Sequence, residues 1–149
     1  MKLSKNFSRA EIEHSNTAKR LGISNEMSEK HLENMQRLID NLIQPLRDAI
    51  GPIRISSGYR SPSLNRAIGG SNRSQHSKAE ALDLQFWSEG KMNNKVIYDW
   101  ILDSGLEFDQ MINEFDFSWI HISLKKNSNR KQVLEAYKDK DGDTAYKLA

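Results

Sequence analysis

Hydrophobic residues in the first third of the chain recur at helical spacing. Ser8 stands three residues before Glu11, a pairing typical of a helix start, and Gly22 is suited to end that first helix. After Ser28, which is expected to cap a second helix, apolar side chains return every three or four residues and are expected to face the core. They are Leu32, Met35, Leu38, Ile39, Leu42, Ile43 and Leu46. The pattern predicts a helical scaffold over about residues 1–51.

Short segments with strand patterns follow the helical part. Residues 53–56 alternate between apolar and polar, and residues 81–87 form a mainly apolar run. Residues 108–115 and 119–124 predict the two strands of a hairpin, and residues 91–104 have a helical pattern. Together these elements predict an α+β fold in which N-terminal helices pack on a small, mainly antiparallel sheet.

Two further segments lack a regular pattern. Residues 57–70 are rich in Gly, Ser and polar groups and are expected to form a loop of the kind where binding residues concentrate. Residues 125–149 are highly charged, with Asp141-Gly142-Asp143 as a turn, and no site residue is expected there. We therefore expect one domain over residues 1–149, with its site in an α+β part at about 52–124.

Composition narrows the classes of protein. A length of 149 residues suits a single domain, and a net charge of +2 gives no electrostatic ground for binding nucleic acid. No apolar stretch approaches the ~20 residues that span a bilayer, so membrane insertion is not expected. The absence of cysteine excludes disulfides and thiolate metal sites. The polar N-terminus resembles no secretory signal peptide, which predicts synthesis in the cytoplasm.

His76, Asp83 and His121 are the main candidates for chemistry. Two imidazoles and one carboxylate are a common ligand set for a catalytic zinc that keeps one position open for water. Asp83 lies between two leucines in a predicted strand, where a carboxylate is unfavourable unless it is paired or binds metal. Pairing with Arg60 is the alternative for Asp83, and a lone core histidine is more often simply hydrogen-bonded. Spacing alone does not establish that the three residues converge.

Several short motifs surround these candidates in a fixed order along the chain. They are Ser57-Gly58-Tyr59-Arg60-Ser61, Leu64-Asn65, Gly69-Gly70, Ser74-x-His76, Ala81-x-Asp83-Leu84 and Trp119-Ile120-His121-Ile122-Ser123. In this order they resemble the zinc D-Ala-D-Ala carboxypeptidase family, most closely its short peptidase domains in phage endolysins. Residues 7–11 and 16–22 also resemble the start of those phage domains.

The resemblance implies both a fold and a function. It implies a Hedgehog/DD-peptidase-like fold, Zn²⁺ bound by His76, Asp83 and His121, and hydrolysis of peptide bonds in peptidoglycan stem peptides. It places Arg60 beside the substrate and the developing oxyanion, and makes Ser74 a substrate contact or a cap of the local turn. A phage lysis role, with release through a holin-type pore to reach the cell wall, follows by the same analogy. We expect a monomer.

The general base is indicated less directly. Several family members place an acid three residues before the last histidine ligand, and Ser118 stands there in this chain. Glu114 is the candidate instead, with Asp116 in reserve. If Asp116-Phe117 form a two-residue turn, Glu114 and His121 share a sheet face as diagonal neighbours about 7–8 Å apart at the backbone. A three-residue turn would send Glu114 to the opposite face.

Two other functions stay open at this stage. One alternative, within the same family, is an enzyme that cleaves the L-Ala–D-Glu bond or a cross-bridge instead of D-Ala–D-Ala. In a different class, the chain is a non-catalytic, zinc-containing module for wall binding or the virion, because Ser118 cannot act as a base.

Two smaller expectations concern individual side chains. Ala79 occupies a position where the family often has glycine, so a positive φ there would carry modest strain. Trp87, Trp100 and Trp119 are expected in the core rather than at a substrate surface.

Overall fold

The computed structural model describes residues 1–149, which form six α-helices, a π-helical segment, a six-stranded sheet and a separate two-stranded sheet. The α-helices are Arg9–Glu13 (α1), Asn16–Leu21 (α2), Glu29–Leu38 (α3), Gln44–Ile50 (α4), Pro62–Ala67 (α5) and Lys95–Ser104 (α6). The strands are Arg54–Ser57 (β1), Ala81–Gln85 (β2), Trp87–Ser88 (β3), Lys91–Met92 (β4), Gln110–Glu114 (β5), Trp119–Ser123 (β6), Gln132–Lys138 (β7) and Thr144–Leu148 (β8). None of the helices has the length and apolar character needed to cross a membrane.

The N-terminal helices begin at their capping residues. Ser8 and Ser28 each accept a hydrogen bond from the backbone N–H three residues further on, as expected for N-caps. The expected single first helix is wrong, because the backbone is extended at His14 and Ser15 caps a separate α2. Gly22, at φ 65°, ends α2 with its N–H bonded to the last helical carbonyls.

Helices α3 and α4 are joined by the π-helical segment Ile39–Ile43. Their inward side chains form much of the core, as the helical spacing predicts. Six of the seven predicted core residues are 0% exposed, namely Met35, Leu38, Ile39, Leu42, Ile43 and Leu46. The seventh, Leu32, is partly buried against the same cluster.

The large sheet has the strand order β1-β2-β6-β5-β7-β8, and only the β5–β7 pair is parallel. The predicted α+β class with a mainly antiparallel sheet is therefore confirmed. Because side chains alternate between the two faces of a strand, one face packs on the helices through residues such as Leu82, Met111 and Ile122. The opposite face carries Asp83 and His121, which are paired across β2 and β6.

Two segments differ from the expectation. The predicted loop over residues 57–70 contains helix α5, whose N-cap Ser61 accepts a backbone hydrogen bond. The charged segment 125–149 contains β7 and β8, which add a hairpin to the sheet edge. The turn within Asp141-Gly142-Asp143 is as predicted, with Gly142 at φ 82°. Most residues of the hairpin are at least partly exposed, so neither face required the continuous apolar pattern that identifies a buried strand.

Candidate active site

His76, Asp83 and His121 converge at one point on the sheet. Asp83 and His121 lie directly opposite each other in the β2–β6 register, and His76 belongs to the loop before β2. Nε2 of His76 is 3.2 Å from Oδ1 of Asp83, and Nδ1 of His121 is 3.1 Å from the same oxygen. One potential ligand atom from each residue lies within 4.8 Å of the others. Neighbouring positive charge and hydrogen bonds from the histidines outweigh burial and hold the pKa of Asp83 well below its usual range.

The second nitrogen of each imidazole has its own partner. Nδ1 of His76 lies 2.8 Å from the carbonyl oxygen of Gly58, and Nε2 of His121 lies 3.2 Å from Oε1 of Gln75. When these nitrogens donate their N–H to the two oxygens, the nitrogens facing Asp83 keep lone pairs for a metal ion. Two imidazole nitrogens and a carboxylate oxygen fit Zn²⁺, which accepts these ligand types in an open catalytic site.

An ion pair between the buried Asp109 and the exposed Arg130 anchors Gln75, the partner of His121. Nε2 of Gln75 donates to Oδ2 of Asp109 at 2.8 Å, and Asp109 is 0% exposed. Arg130 donates to the two carboxylate oxygens at 3.0 and 2.8 Å. Burial acts to raise the pKa of Asp109, but hydrogen bonds from Arg130 and Gln75 lower it to about 2. The sequence analysis did not predict these contacts. The only sequence feature that could have indicated them is the position of Asp109 directly after the apolar Phe108.

Glu114 lies on the same sheet face as His121. The β5–β6 register pairs Glu114 with Trp119 and Ile112 with His121, as the hairpin argument predicts. The connecting loop is neither the two-residue nor the three-residue turn considered from the sequence, because it comprises residues 115–118, three of them at φ 50–61°. A two-residue turn and the observed four-residue loop both have an even number of residues, so Glu114 lies on the predicted face of the sheet.

Burial dominates the electrostatics of Glu114. The residue is 8% exposed, and burial together with the negative charge of Asp83 raises its pKa to about 7, against an opposing effect of His121. A carboxyl group that titrates near neutrality can both accept and return a proton. The reserve candidate, Asp116, is exposed in the turn and does not line the cavity that contains Glu114.

Arg60 and Ser74 line the same cavity as the metal-binding cluster. The Nε of Arg60 is buried without a hydrogen-bond partner, and Asp83 pairs with the two histidines instead of with Arg60. The alternative of an Arg60–Asp83 ion pair is therefore not what the structure contains. Ser74 accepts a hydrogen bond from the backbone N–H of His76 at 3.2 Å, so its side chain holds the local turn.

The cavity has a volume of about 500 Å³ and extends beyond the predicted site residues. Its wall includes Trp119, which was expected in the core, and Leu134, Thr144 and Tyr146 from β7 and β8. The expectation that residues 125–149 contribute nothing here is wrong, because the C-terminal hairpin continues the sheet face that carries the metal-binding cluster.

The other two tryptophans, Trp87 and Trp100, differ in their exposure to solvent. Trp87 is 43% exposed in the small β3–β4 hairpin, so its expected core position is wrong. Trp100 is partly buried against the core, in line with the expectation.

Two backbone positions fix the loop that precedes β2. Ala79 has φ 57° and is fully buried, so the positive φ anticipated from the sequence is present. Gly58 packs so closely on the backbone of Ile12 that a Cβ atom would overlap its carbonyl group. Because the Gly58 carbonyl accepts from His76, this close packing also sets the orientation of the His76 ring.

A His–Asp–His cluster and a carboxyl group titrating near neutrality, within one open cavity, are the features of a metallopeptidase site. Residues 5–123 match the sequence model of the peptidase M15 family, a range that includes the three candidate metal ligands, Arg60 and Glu114. The chain belongs to this family and is a zinc metallopeptidase. Curated proteins gave no match to the chain.

Proposed function

We propose that the chain hydrolyses peptide bonds in the stem peptides of bacterial peptidoglycan, as a D-Ala-D-Ala carboxypeptidase-like enzyme. The observation that supports this most strongly is the position of Glu114, a buried carboxyl group in the cavity that His76, Asp83 and His121 line. A purely structural metal site has no need of a proton-accepting group beside it. Peptide hydrolysis needs one, because a water proton must move to the leaving amine.

The metal-binding and proton-transfer roles fall to different side chains. His76 through Nε2, His121 through Nδ1 and Asp83 through a carboxylate oxygen would hold Zn²⁺, which when bound would supply Lewis-acid activation of the scissile carbonyl and of the attacking water. The Glu114 carboxylate accepts the proton of that water and returns it to the nitrogen of the leaving amine. Its placement beside His121 on one sheet face brings it within reach of this exchange.

Arg60 supplies the positive charge in this proposal. Its guanidinium group lines the cavity, and its Nε has no partner within the protein. Burial lowers the pKa of Arg60 and Asp83 opposes that effect, but an arginine side chain remains protonated at neutral pH. It is therefore available to the developing oxyanion or to a carboxylate of the stem peptide. Ser74, on the same wall, is the second substrate contact.

The setting of the enzyme is part of the same proposal. A phage endolysin or another cell-wall lytic enzyme, acting as a monomer on the wall after holin-type release, fits the likeness of the motifs to phage peptidase domains. A Hedgehog/DD-peptidase-like fold belongs with it, supported by the helical layer and the mainly antiparallel sheet.

The test is hydrolysis of purified peptidoglycan by the zinc-bound protein. Free D-alanine and new amino termini are quantified, and the products are identified by mass spectrometry. Glu114→Gln is expected to retain zinc and lose at least about a hundredfold in rate, as befits loss of a general base. Asp116→Asn, an exposed change in the adjacent turn, is the matched control and is expected to keep full activity.

The products also separate the alternatives. Released D-alanine identifies a carboxypeptidase, whereas new D-Glu or cross-bridge amino termini identify an endopeptidase of the same family. Zinc binding without any cleavage by the wild type would leave the non-catalytic wall-binding or virion module and end the proposal of an enzyme acting on peptidoglycan.

A further inference from the structure

The C-terminal hairpin lies outside the family match, which ends at Ser123, yet it joins the sheet beside the candidate base. β7 pairs in parallel with β5, which places Ala136 opposite Glu114. β8 then pairs with β7, which places Tyr146 opposite Ala136. Paired residues share a face of the sheet, so Glu114, Ala136 and Tyr146 form one row pointing towards the cavity.

A second row runs parallel to the first and begins at the metal-binding residues. It passes from Asp83 and His121 to Ile112, Leu134 and Leu148 through the registers of the same strands. The outer part of this row is apolar, and its end residue Leu148 is 74% exposed. Along this row, the sheet face beside the metal-binding cluster carries the apolar side chains Ile112, Leu134 and Leu148 over three strands, or about 14 Å at the usual strand spacing.

Tyr146 stands out on this surface. It lines the cavity although 54% of its area is exposed. Only the small side chain of Ala136 lies between Tyr146 and Glu114 in this row. Burial and the negative charges of Glu114 and Asp83 raise the pKa of Tyr146, so its hydroxyl stays protonated at neutral pH. An aromatic ring with a polar tip at the margin of a cavity is well suited to hold a peptide.

We propose that the β7–β8 hairpin forms one wall of the substrate groove and that Tyr146 is a substrate-binding residue on it. The inference rests on the proposed function, because the ligand is the stem peptide whose bond is cleaved. Tyr146 lies two strands from Glu114, so it holds the peptide chain away from the scissile bond and does not take part in proton transfer. It contributes equally to binding of the ground state and of the transition state, which predicts an effect on KM.

The test compares two tyrosines of the same hairpin. Tyr146→Thr removes the ring while threonine keeps a high strand propensity, and Tyr137→Thr makes the same change on the opposite face, away from the cavity. Steady-state rates are measured on soluble muropeptides. Tyr146→Thr is expected to raise KM about tenfold with kcat unchanged, whereas Tyr137→Thr leaves both constants unchanged.

A binding measurement that needs no turnover accompanies the kinetics. Muropeptides are titrated into Glu114→Gln protein while the tryptophan fluorescence, to which Trp119 in the cavity wall contributes, is followed with and without zinc. Adding Tyr146→Thr is expected to raise Kd about tenfold, in step with KM.

The outcomes separate this inference from the proposed function. Cleavage by the wild type with Tyr146→Thr indistinguishable from Tyr137→Thr would overturn the role of Tyr146 and leave the peptidase intact. Binding that depends on Tyr146, without cleavage by the wild type, would support the groove and overturn the proposed activity. Absence of binding to Glu114→Gln protein that retains Tyr146, together with absence of cleavage by the wild type, would overturn both.

Discussion

Glu114 carries a free-energy cost that can be measured without any substrate. In the folded, zinc-free protein its pKa is about 7, against a value of 4.5 for an ordinary glutamate. At about 1.4 kcal/mol per pH unit, ionising Glu114 in place disfavours the folded state by up to about 3 kcal/mol. Because the folded pKa is the higher one, the penalty is absent below about pH 4.5, grows as the pH rises and is complete above about pH 7.

Replacing the carboxyl group with a neutral amide removes this penalty. Glu114→Gln is therefore expected to gain up to about 3 kcal/mol of stability over the wild type at pH 8.5, beyond any difference present at pH 4.5. The assay is urea unfolding of both proteins in the presence of a chelator across that pH range. The two proteins differ only at residue 114, so the difference between their pH profiles reports the Glu114 carboxyl group together with its interactions with Asp83 and His121.

Two controls sharpen the result. Asp116→Asn alters an exposed carboxylate in the same turn and is expected to show no pH-dependent gain. Repeating the series with zinc should shrink the gain of Glu114→Gln, because a nearby cation favours the ionised carboxylate. A difference between Glu114→Gln and the wild type that stays constant from pH 4.5 to 8.5 would refute the reasoning, since the buried carboxyl would then titrate as it does in the unfolded chain.

Three further predictions follow from the geometry. Gln75→Ala should weaken zinc binding at least about tenfold in a chelator competition, because His121 loses its hydrogen-bond partner. Gln110→Ala, in the same cavity, should leave zinc binding unchanged, and equal zinc affinities of the two variants would contradict this prediction. Gly58→Ala should lower the unfolding free energy by about 1–3 kcal/mol in urea, because the added methyl overlaps the backbone of Ile12; unchanged stability would show that the loop can shift freely. Asp83→Asn should abolish stoichiometric zinc binding by metal analysis, and retention of one zinc per chain would point to other ligands.

The sequence predicted the parts of the site that depend on local pattern and on strand parity. His121 and Glu114 belong to one hairpin, so an even loop was enough to place them on one face, although the loop itself is longer than expected. The core positions of α3 and α4 followed from a helical period that the intervening π segment does not disrupt.

The pattern of hydrophobic and polar residues could not predict contacts between segments that are far apart in the sequence. The hydrogen bond from Gln75 to Asp109 spans 34 residues, and neither residue has a periodicity that signals its partner. The wall formed by Leu134 and Tyr146 was missed because the edge hairpin is half exposed and rich in charge, so it resembles a solvated tail until its pairing with β5 is known.

The direct opposition of Asp83 and His121 has a consequence for folding as well as for chemistry. If β2 and β6 paired one residue out of register, the two side chains would point to opposite faces of the sheet. The candidate zinc site would then lose one of its three side chains, so metal binding there would lower the free energy of the natively paired sheet and not that of the slipped one. Zinc binding would thus stabilise only the molecules in which β2 and β6 have paired in the native register, in addition to its role in hydrolysis.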